Sequence, residues 1–164
     1  MRSELPKVLQ PLAGKPLLEH VLCLSRSLGA SDIAVVYGHG GDAVQAACAG
    51  DDIRWELQAE QNGTGHAVMQ AAPGVPDDNQ VLITYGDVPL LTLATMQRLI
   101  AETAPDEVSI LTVDAADPTG YGRILRENGT VVGNVEEKDA TDEQRAITEI
   151  NTGVMIAPGR KLKE

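Results

Sequence analysis

Short apolar-rich runs alternate with helix-like segments along most of this chain, and that alternation constrains its fold more than any other feature. IAVVYG (33–38), IRWELQ (53–58), QVLITYG (80–86) and VSILTV (108–113) have strand length and β-branched composition. PLLEHVLCLSRSL (16–28), DAVQAACAG (42–50), TGHAVMQAA (64–72) and TLATMQRLIAE (92–102) carry helical patterning. In 16–28, Leu17, Val21, Leu24 and Leu28 fall on one helical face, Pro16 suits the first turn and Gly29 the stop. Asp42, Thr64 and Thr92 are candidate N-caps of the following three helices. Strands that need apolar cover on both faces, joined by helices, predict a mainly parallel α/β sheet with helices on either side.

Beyond residue 118 the pattern changes. RILREN and TVVGNVEE flank Asn128-Gly129, a strong hairpin signal, then KDATDEQRA is charged and EINTGVMIA (149–157) is a last strand. The 164 residues suffice for one core, and no internal repeat or linker divides them. We expect a single α/β domain with an antiparallel hairpin insertion over about 118–157.

Composition narrows the function. Asp and Glu number 24 against 13 Lys and Arg, so non-specific binding to nucleic acid or anionic lipid is disfavoured. Phe is absent and aromatics are 2%, which leaves no platform for stacking single-stranded bases. Cys23 and Cys48 lie in apolar stretches without metal-site spacing, as free thiols of a reducing compartment would. No run has membrane-spanning length and no signal-peptide pattern is present, so a cytoplasmic location is expected.

In open α/β sheets ligands sit at the carboxyl ends of the strands. Those ends carry Gly38-His39-Gly40, Gln58 with its loop, Gly86-Asp87 and Asp114. YGHGGDA matches G-x-G-x-x-G/A through Gly38, Gly40 and Ala43, with Glu56 near the distance of a ribose-binding acid. Glu56, however, falls inside its strand, and the glycines equally suit a tight strand-to-helix turn. Asp87, in YGDVPLL, is either a Mg²⁺ ligand or a turn cap. Lys7, in LPKVL, is either a point charge for phosphate or an ordinary surface lysine. Lys15 is read as the latter.

Gln58 and Gly63, in QAEQNGTGHAV, can read uracil. A glutamine amide accepts from and donates to that ring edge, and a glycine lets a backbone N–H approach a carbonyl. Cytosine reverses the donors and acceptors and would leave buried groups unpaired. Glu136 and Asn151 could hold sugar hydroxyls, and Gly122 could offer a backbone contact. Glu136 also suits a solvated charge. His66 is expected to be structural, and His20 and His39 have no evident partners in the sequence.

Taken together, LPKVLQPLAGKPLLEHV, VYGHGGD, LQAEQNGTGHAV, YGDVPLL, DPTGYGRI, EEKDATDEQ and EINTGV resemble one family in order and spacing. They are similar to the uridylyltransferase domain of the bacterial bifunctional N-acetylglucosamine-1-phosphate uridyltransferases, over residues 1 to about 157. The resemblance implies a Rossmann-like nucleotidyltransferase fold and Mg²⁺. It implies transfer of UMP from UTP to N-acetylglucosamine 1-phosphate, giving UDP-N-acetylglucosamine for cell-wall and lipopolysaccharide precursors, and pyrophosphate. By position, Lys7 would contact phosphate. Gln58 and Gly63, with Thr64 beside them, would read uracil. Tyr85, Gly86 and Asp87 would line the site, with Asp87 on the metal, and Gly122, Glu136 and Asn151 would hold the sugar. Lys7 and Asp87 would thus be the catalytic pair. The GHGGD turn is scaffold in that family.

The same resemblance places a first strand and a G-x-G-T-R phosphate loop ahead of the position of Met1. It also places a second metal-binding asparagine and an acetyltransferase domain, through which a homotrimer forms, beyond Glu164. The chain is therefore expected to be part of an enzyme and inactive alone. A non-catalytic UDP-sugar-binding remnant and a related sugar-phosphate nucleotidyltransferase are the alternatives.

Overall fold

A computed structural model describes residues 5–38 and 40–164; His39 lies outside them. Nine strands and five helices follow in chain order among these residues. They are β1 (Pro11–Leu12), β2 (Lys15–Pro16), α1 (Leu17–Ser27), β3 (Ile33–Tyr37), α2 (Gly41–Ala47), β4 (Ile53–Leu57) and α3 (Thr64–Ala71). Then come β5 (Gln80–Ile83), α4 (Leu93–Glu102), β6 (Ser109–Asp114), β7 (Arg123–Glu127), β8 (Thr130–Val135), α5 (Asp142–Arg145) and β9 (Glu149–Pro158). The α/β class, the eight long elements expected over 16–113 and the Asn128-Gly129 hairpin are all present. The β1–β2 hairpin and α5 are not legible as elements in the sequence, being two to four residues long.

The pairing is mixed, not mainly parallel: among the described residues β3 and β4 form a sheet of their own, apart from the five-stranded sheet of β5 to β9. β3 and β4 pair in parallel, with Val35 opposite Trp55. β9 pairs antiparallel with β5, β6 and β7, and β7 with β8. The physical reason is β9: this last strand returns through the middle of the sheet, between β5 and β6, and reverses the local direction. The sequence places the strand but not its neighbours.

The first half closes around one apolar cluster. Leu9, Leu18, Leu22, Val44 and Cys48 are buried together, and Val8, Ile33, Val35, Ile53 and Trp55 pack against them. On α1 the fully buried stripe is Leu18, Val21 and Leu22, at i, i+3 and i+4, while Leu17, Leu24 and Leu28 are half-buried at its margins. With no Phe, aliphatic side chains and one edge-to-face pair, Tyr37 and Trp55 at 6.1 Å between centroids, fill this core. Cys48 is buried and Cys23 half-buried, both as free thiols. In the second half Ile150, Val154, Ile156 and Ala157 of β9 are buried, as is Met96 of α4.

The turn after β3 explains the dinucleotide-like glycines. A Cβ on Gly41 would stand 1.9 Å from Cδ2 of Tyr37, so glycine is what lets α2 start against that ring. Gly40 is the N-cap of α2, in left-handed backbone with φ +79°, and Asp42 sits in the first turn instead of capping it. Glu56 is ion-paired to Arg54 within β4 and faces no open strand end. Thr92 does cap α4, accepting from the Thr95 backbone N–H at 3.2 Å.

One edge of β3 and one edge of β5 have no strand partner among the described residues. Both strands line a cavity of about 1350 Å³, together with Leu18, Val21 and Leu22 of α1 and Val68 and Ala71 of α3. The slot between these two strands is lined mostly by apolar side chains.

Candidate functional site

The site lies where β5 and β9 deliver their loops to the end of this slot. Lys7 opens a 3-10 turn, Lys7–Leu9, directly after Pro6, whose extended backbone aims it across the molecule. Asp87 follows β5 in the turn at Gly86-Asp87. The two meet as an ion pair, Lys7 Nζ to Asp87 Oδ2 at 2.5 Å. The Asp87 side chain is 25% exposed and that of Lys7 64%. The hydrogen bond to Asp87 and its charge hold the Lys7 ammonium above its ordinary pKa. At neutral pH this is a fixed cation beside a carboxylate that remains reachable from solvent. Asp87 thus stands in an ion pair with Lys7.

A smaller pocket of about 230 Å³ opens beside it, lined by Tyr85, Gly120, Tyr121, Gly122, Glu136, Asn151, Thr152 and Gly153. Four candidates from distant parts of the sequence, Tyr85, Gly122, Glu136 and Asn151, thus share one wall. Tyr85, Asn151 and Gly153 also line the large cavity, so the two spaces adjoin. Lys7, Thr64 and Gly86 line the large one.

The geometry of Asn151 comes from a bulge. Between Ile110↔Met155 and Thr112↔Asn151 the β6–β9 register shifts, so β9 carries extra residues there, with Gly153 at φ +76°. The Thr152 hydroxyl donates to Leu111 O at 2.6 Å and pins the bulge. Asn151 Oδ1 accepts the Gly153 N–H at 2.8 Å, and the Asn151 N–H donates to Gly122 O at 2.9 Å. Among the described residues the amide –NH₂ of Asn151 has no hydrogen-bond partner. The Gly122 carbonyl is consequently engaged within the fold. Glu136 is exposed, and its Oε1 accepts from Asn134 Nδ2 at 3.1 Å, while Oε2 has no partner among the described residues.

Gln58 and Gly63 are joined directly, Gln58 Nε2 donating to Gly63 O at 3.0 Å. Neither lines the two cavities. They form a rim next to Thr64, which does line the larger one. Gly63, not Thr64, is the N-cap of α3, and no side chain caps that helix; Thr64 is its first residue. The Gln58 amide also reaches His66 Nδ1 at 3.1 Å. His20 Nε2 lies 2.8 Å from Leu12 O, so it too has a partner.

Sequence reasoning missed Tyr121, Thr152 and Gly153 in the small pocket, and His66 beside Gln58. Gly153 had a readable signal, since a glycine inside a strand marks a bulge. Tyr121 and His66 had none that spacing could give.

Residues 1–146 match the family described as the MobA-like NTP transferase domain. The chain belongs to this family. As a MobA-like NTP transferase domain it is a nucleotidyltransferase by class, with the Rossmann-like α/β fold of that group. The fold recurs in a Bacillus anthracis protein described as a glucose-1-phosphate thymidylyltransferase, at 17% identity and TM-score 0.73 over 95% of this chain and 64% of that one. It recurs in HddC from Yersinia pseudotuberculosis at 17% identity and TM-score 0.72, over 99% and 72%. It recurs again in an apo UDP-glucose pyrophosphorylase at 14% identity and TM-score 0.71, over 97% and 71%. The chain thus spans about 64% of the length of the first of these proteins. Among the described residues no helix is long and apolar enough to cross a membrane, and no cluster of three His, Cys, Asp or Glu could hold a metal.

Proposed function

We propose that this NTP transferase domain serves transfer of a uridylyl group from UTP to N-acetylglucosamine 1-phosphate. The observation that carries the reading is the small pocket of Tyr85, Gly122, Glu136 and Asn151 sharing a wall with the cavity that Lys7 lines. A sugar ring is held by a few polar groups set around its hydroxyls. The Asn151 –NH₂ supplies donors, Glu136 Oε2 an acceptor, and Tyr85 a ring face with a hydroxyl. A sugar seated there puts its 1-phosphate toward Lys7.

In this reading a non-bridging oxygen of the sugar phosphate attacks the α-phosphorus of UTP in line. The new P–O bond forms as the bond to the β-phosphate oxygen breaks, and pyrophosphate leaves. The attacking phosphate is already ionised, so no histidine base is required. Lys7 stabilises the charge carried through the transition state. Gln58 and the Gly63 backbone meet the uracil edge.

The donor set at Asp87 is a single, solvent-reachable carboxylate. That suits Mg²⁺, which takes one or two carboxylates together with substrate phosphate oxygens and water. Asp87 would hold the ion, which supplies charge neutralisation at the phosphates when bound. Lys7 Nζ, now 2.5 Å from that carboxylate, would release it and turn to phosphate.

The test is a panel of nucleoside triphosphates and sugar 1-phosphates, with pyrophosphate release and UDP-sugar binding both measured. Binding of UDP-N-acetylglucosamine in preference to UDP-glucose, weakened at least tenfold in Asn151→Ala, supports the reading. Equal binding of all sugar nucleotides, or none, overturns it. Binding without turnover assigns the domain a binding role in which the same residues act. A cytoplasmic location belongs to this proposal, because UTP is a cytoplasmic substrate.

A further inference from the structure

Arg123, the first residue of β7, is only 1% exposed. It directly follows Gly120, Tyr121 and Gly122, which line the small pocket, yet does not line the pocket itself. The reaction proposed above does not use it. A buried guanidinium is costly unless well paired, and the Nε of Arg123 has no hydrogen-bond partner. An apolar side chain of similar size often serves a core as well. What the charge holds in place is therefore the informative point.

Its Nη2 donates to Glu137 Oε2 at 2.6 Å, and its Nη1 donates to the Tyr121 carbonyl. The same Glu137 oxygen accepts the Gly120 N–H at 3.2 Å. Gly120, with φ +85°, is the third residue of a turn closed by the Tyr121 N–H on Pro118 O at 3.2 Å. The closing bond of such a turn does not use the N–H of the third residue, so Glu137 can capture it. The bond from Arg123, and after it the Gly120 N–H, hold the Glu137 carboxyl below its ordinary pKa. It therefore accepts as an anion at neutral pH. Arg145 of α5 adds a further tie, its Nε donating to the Glu137 carbonyl at 3.4 Å.

Glu137 is the chain neighbour of Glu136, the carboxylate of the small pocket. We propose that Arg123 and Glu137 are positioning residues of the sugar site, a clamp that sets loop 120–122 at a fixed distance from Glu136. This rests on the reading in which the small pocket holds the sugar. Neither side chain touches the ligand. The clamp acts on the sugar portion of a UDP-sugar and not on its base, which that reading places at Gln58 and Gly63, outside this pocket.

Equilibrium dialysis of UDP and of UDP-N-acetylglucosamine on the full chain separates the two portions. Wild type is compared with Glu137→Gln, Glu137→Ala and the double variant Arg123→Met/Glu137→Leu. Glutamine keeps an oxygen for both the Gly120 N–H and Arg123. The double variant removes both ties and leaves no unpaired buried charge, which protects the fold. Alanine, at a side chain 33% exposed, is the second loss variant. Both loss variants should bind UDP-N-acetylglucosamine about tenfold more weakly, the scale of one well-placed hydrogen bond, with UDP affinity unchanged. Glu137→Gln should keep most of the sugar contribution. A merely structural role would weaken both ligands together, or neither. An unchanged ratio in the loss variants, a parallel loss of UDP, or an equal loss in Glu137→Gln overturns the proposal.

The ¹⁵N relaxation of the Gly120 and Tyr121 amides reports the clamp without any ligand. Both should be as rigid as β7 in wild type and Glu137→Gln, and mobile in the loss variants. Unchanged rigidity in the loss variants overturns the proposal. If wild type binds UDP and UDP-N-acetylglucosamine equally, or binds neither, the sugar reading of the pocket fails. Relaxation alone then decides whether Arg123 and Glu137 hold the loop.

Discussion

Gly153→Ala probes the bulge that forms the small pocket, and its cost follows from two separate terms. Gly153 has φ +76°, where an L-residue costs about 1–2 kcal/mol. A Cβ built there stands 2.2 Å from Cε2 and 2.5 Å from Oη of Tyr85. No contact of that kind survives, so the ring has to swing away. Tyr85 is 38% exposed and can move toward solvent, losing about 1 kcal/mol of apolar cover. Together the terms give about 2–3 kcal/mol, a fall in Tm of about 4–12 °C for a chain of this size. Thermal melts of wild type, Gly153→Ala, Tyr85→Ala and the double variant resolve them. In the Tyr85→Ala background the alanine should cost only the backbone term, leaving a coupling of about 1 kcal/mol. Equal cost of Gly153→Ala in both backgrounds would refute the argument, because the contact would then not be its source. UDP-sugar affinity should fall in Gly153→Ala even below the melting range, since the displaced ring is a wall of the pocket.

Further expectations are independent of that one. Asp87→Asn should abolish any Mg²⁺ dependence of nucleotide binding, whereas Lys7→Met should lower affinity for triphosphate at least tenfold at fixed Mg²⁺; isothermal titration with and without the metal distinguishes them. Glu149 is held down to about 2 by the two-pronged contact with Arg126, both distances 2.7 Å, and secondarily by Thr112. Its folded value lies below the ordinary 4.5, so its contribution is complete above pH 4.5 and disappears as pH falls toward 2. With Arg126 partly exposed the contribution is about 1 kcal/mol, and urea unfolding of Glu149→Gln should lose that part of the acid dependence between pH 5 and about 2. Amides on the open edges of β3 and β5 should exchange far faster than those of β9, which is paired on both sides; equal protection in hydrogen exchange would mean that another strand occupies the slot.

Much of the fold was legible because its signals are local. The four apolar runs and their intervening helices follow from composition and spacing within ten or so residues, and Asn128-Gly129 dictates its hairpin by backbone preference alone. The direction of the sheet was not legible. EINTGVMIA is a strand in any reading, but its place between β5 and β6 depends on which edges remain free after the rest has folded. Helix starts were misplaced for a related reason. Asp42 and Thr64 are good caps in isolation, but the glycines before them take the non-helical conformation first.

The sequence by itself determined the α/β class, the alternation of elements and the chemical types available: a lysine behind a proline, an acid after a strand, an amide beside a glycine loop. Those depend on properties each segment carries alone. Only the tertiary structure brought Lys7 to Asp87, and Tyr85, Gly122, Glu136 and Asn151 into one pocket. It also gave His66 a partner in Gln58 and revealed that Gly153 makes room for Tyr85. These contacts span the chain and depend on strand order and on a bulge in β9. Periodicity within a segment carries no information about which distant segment it will meet.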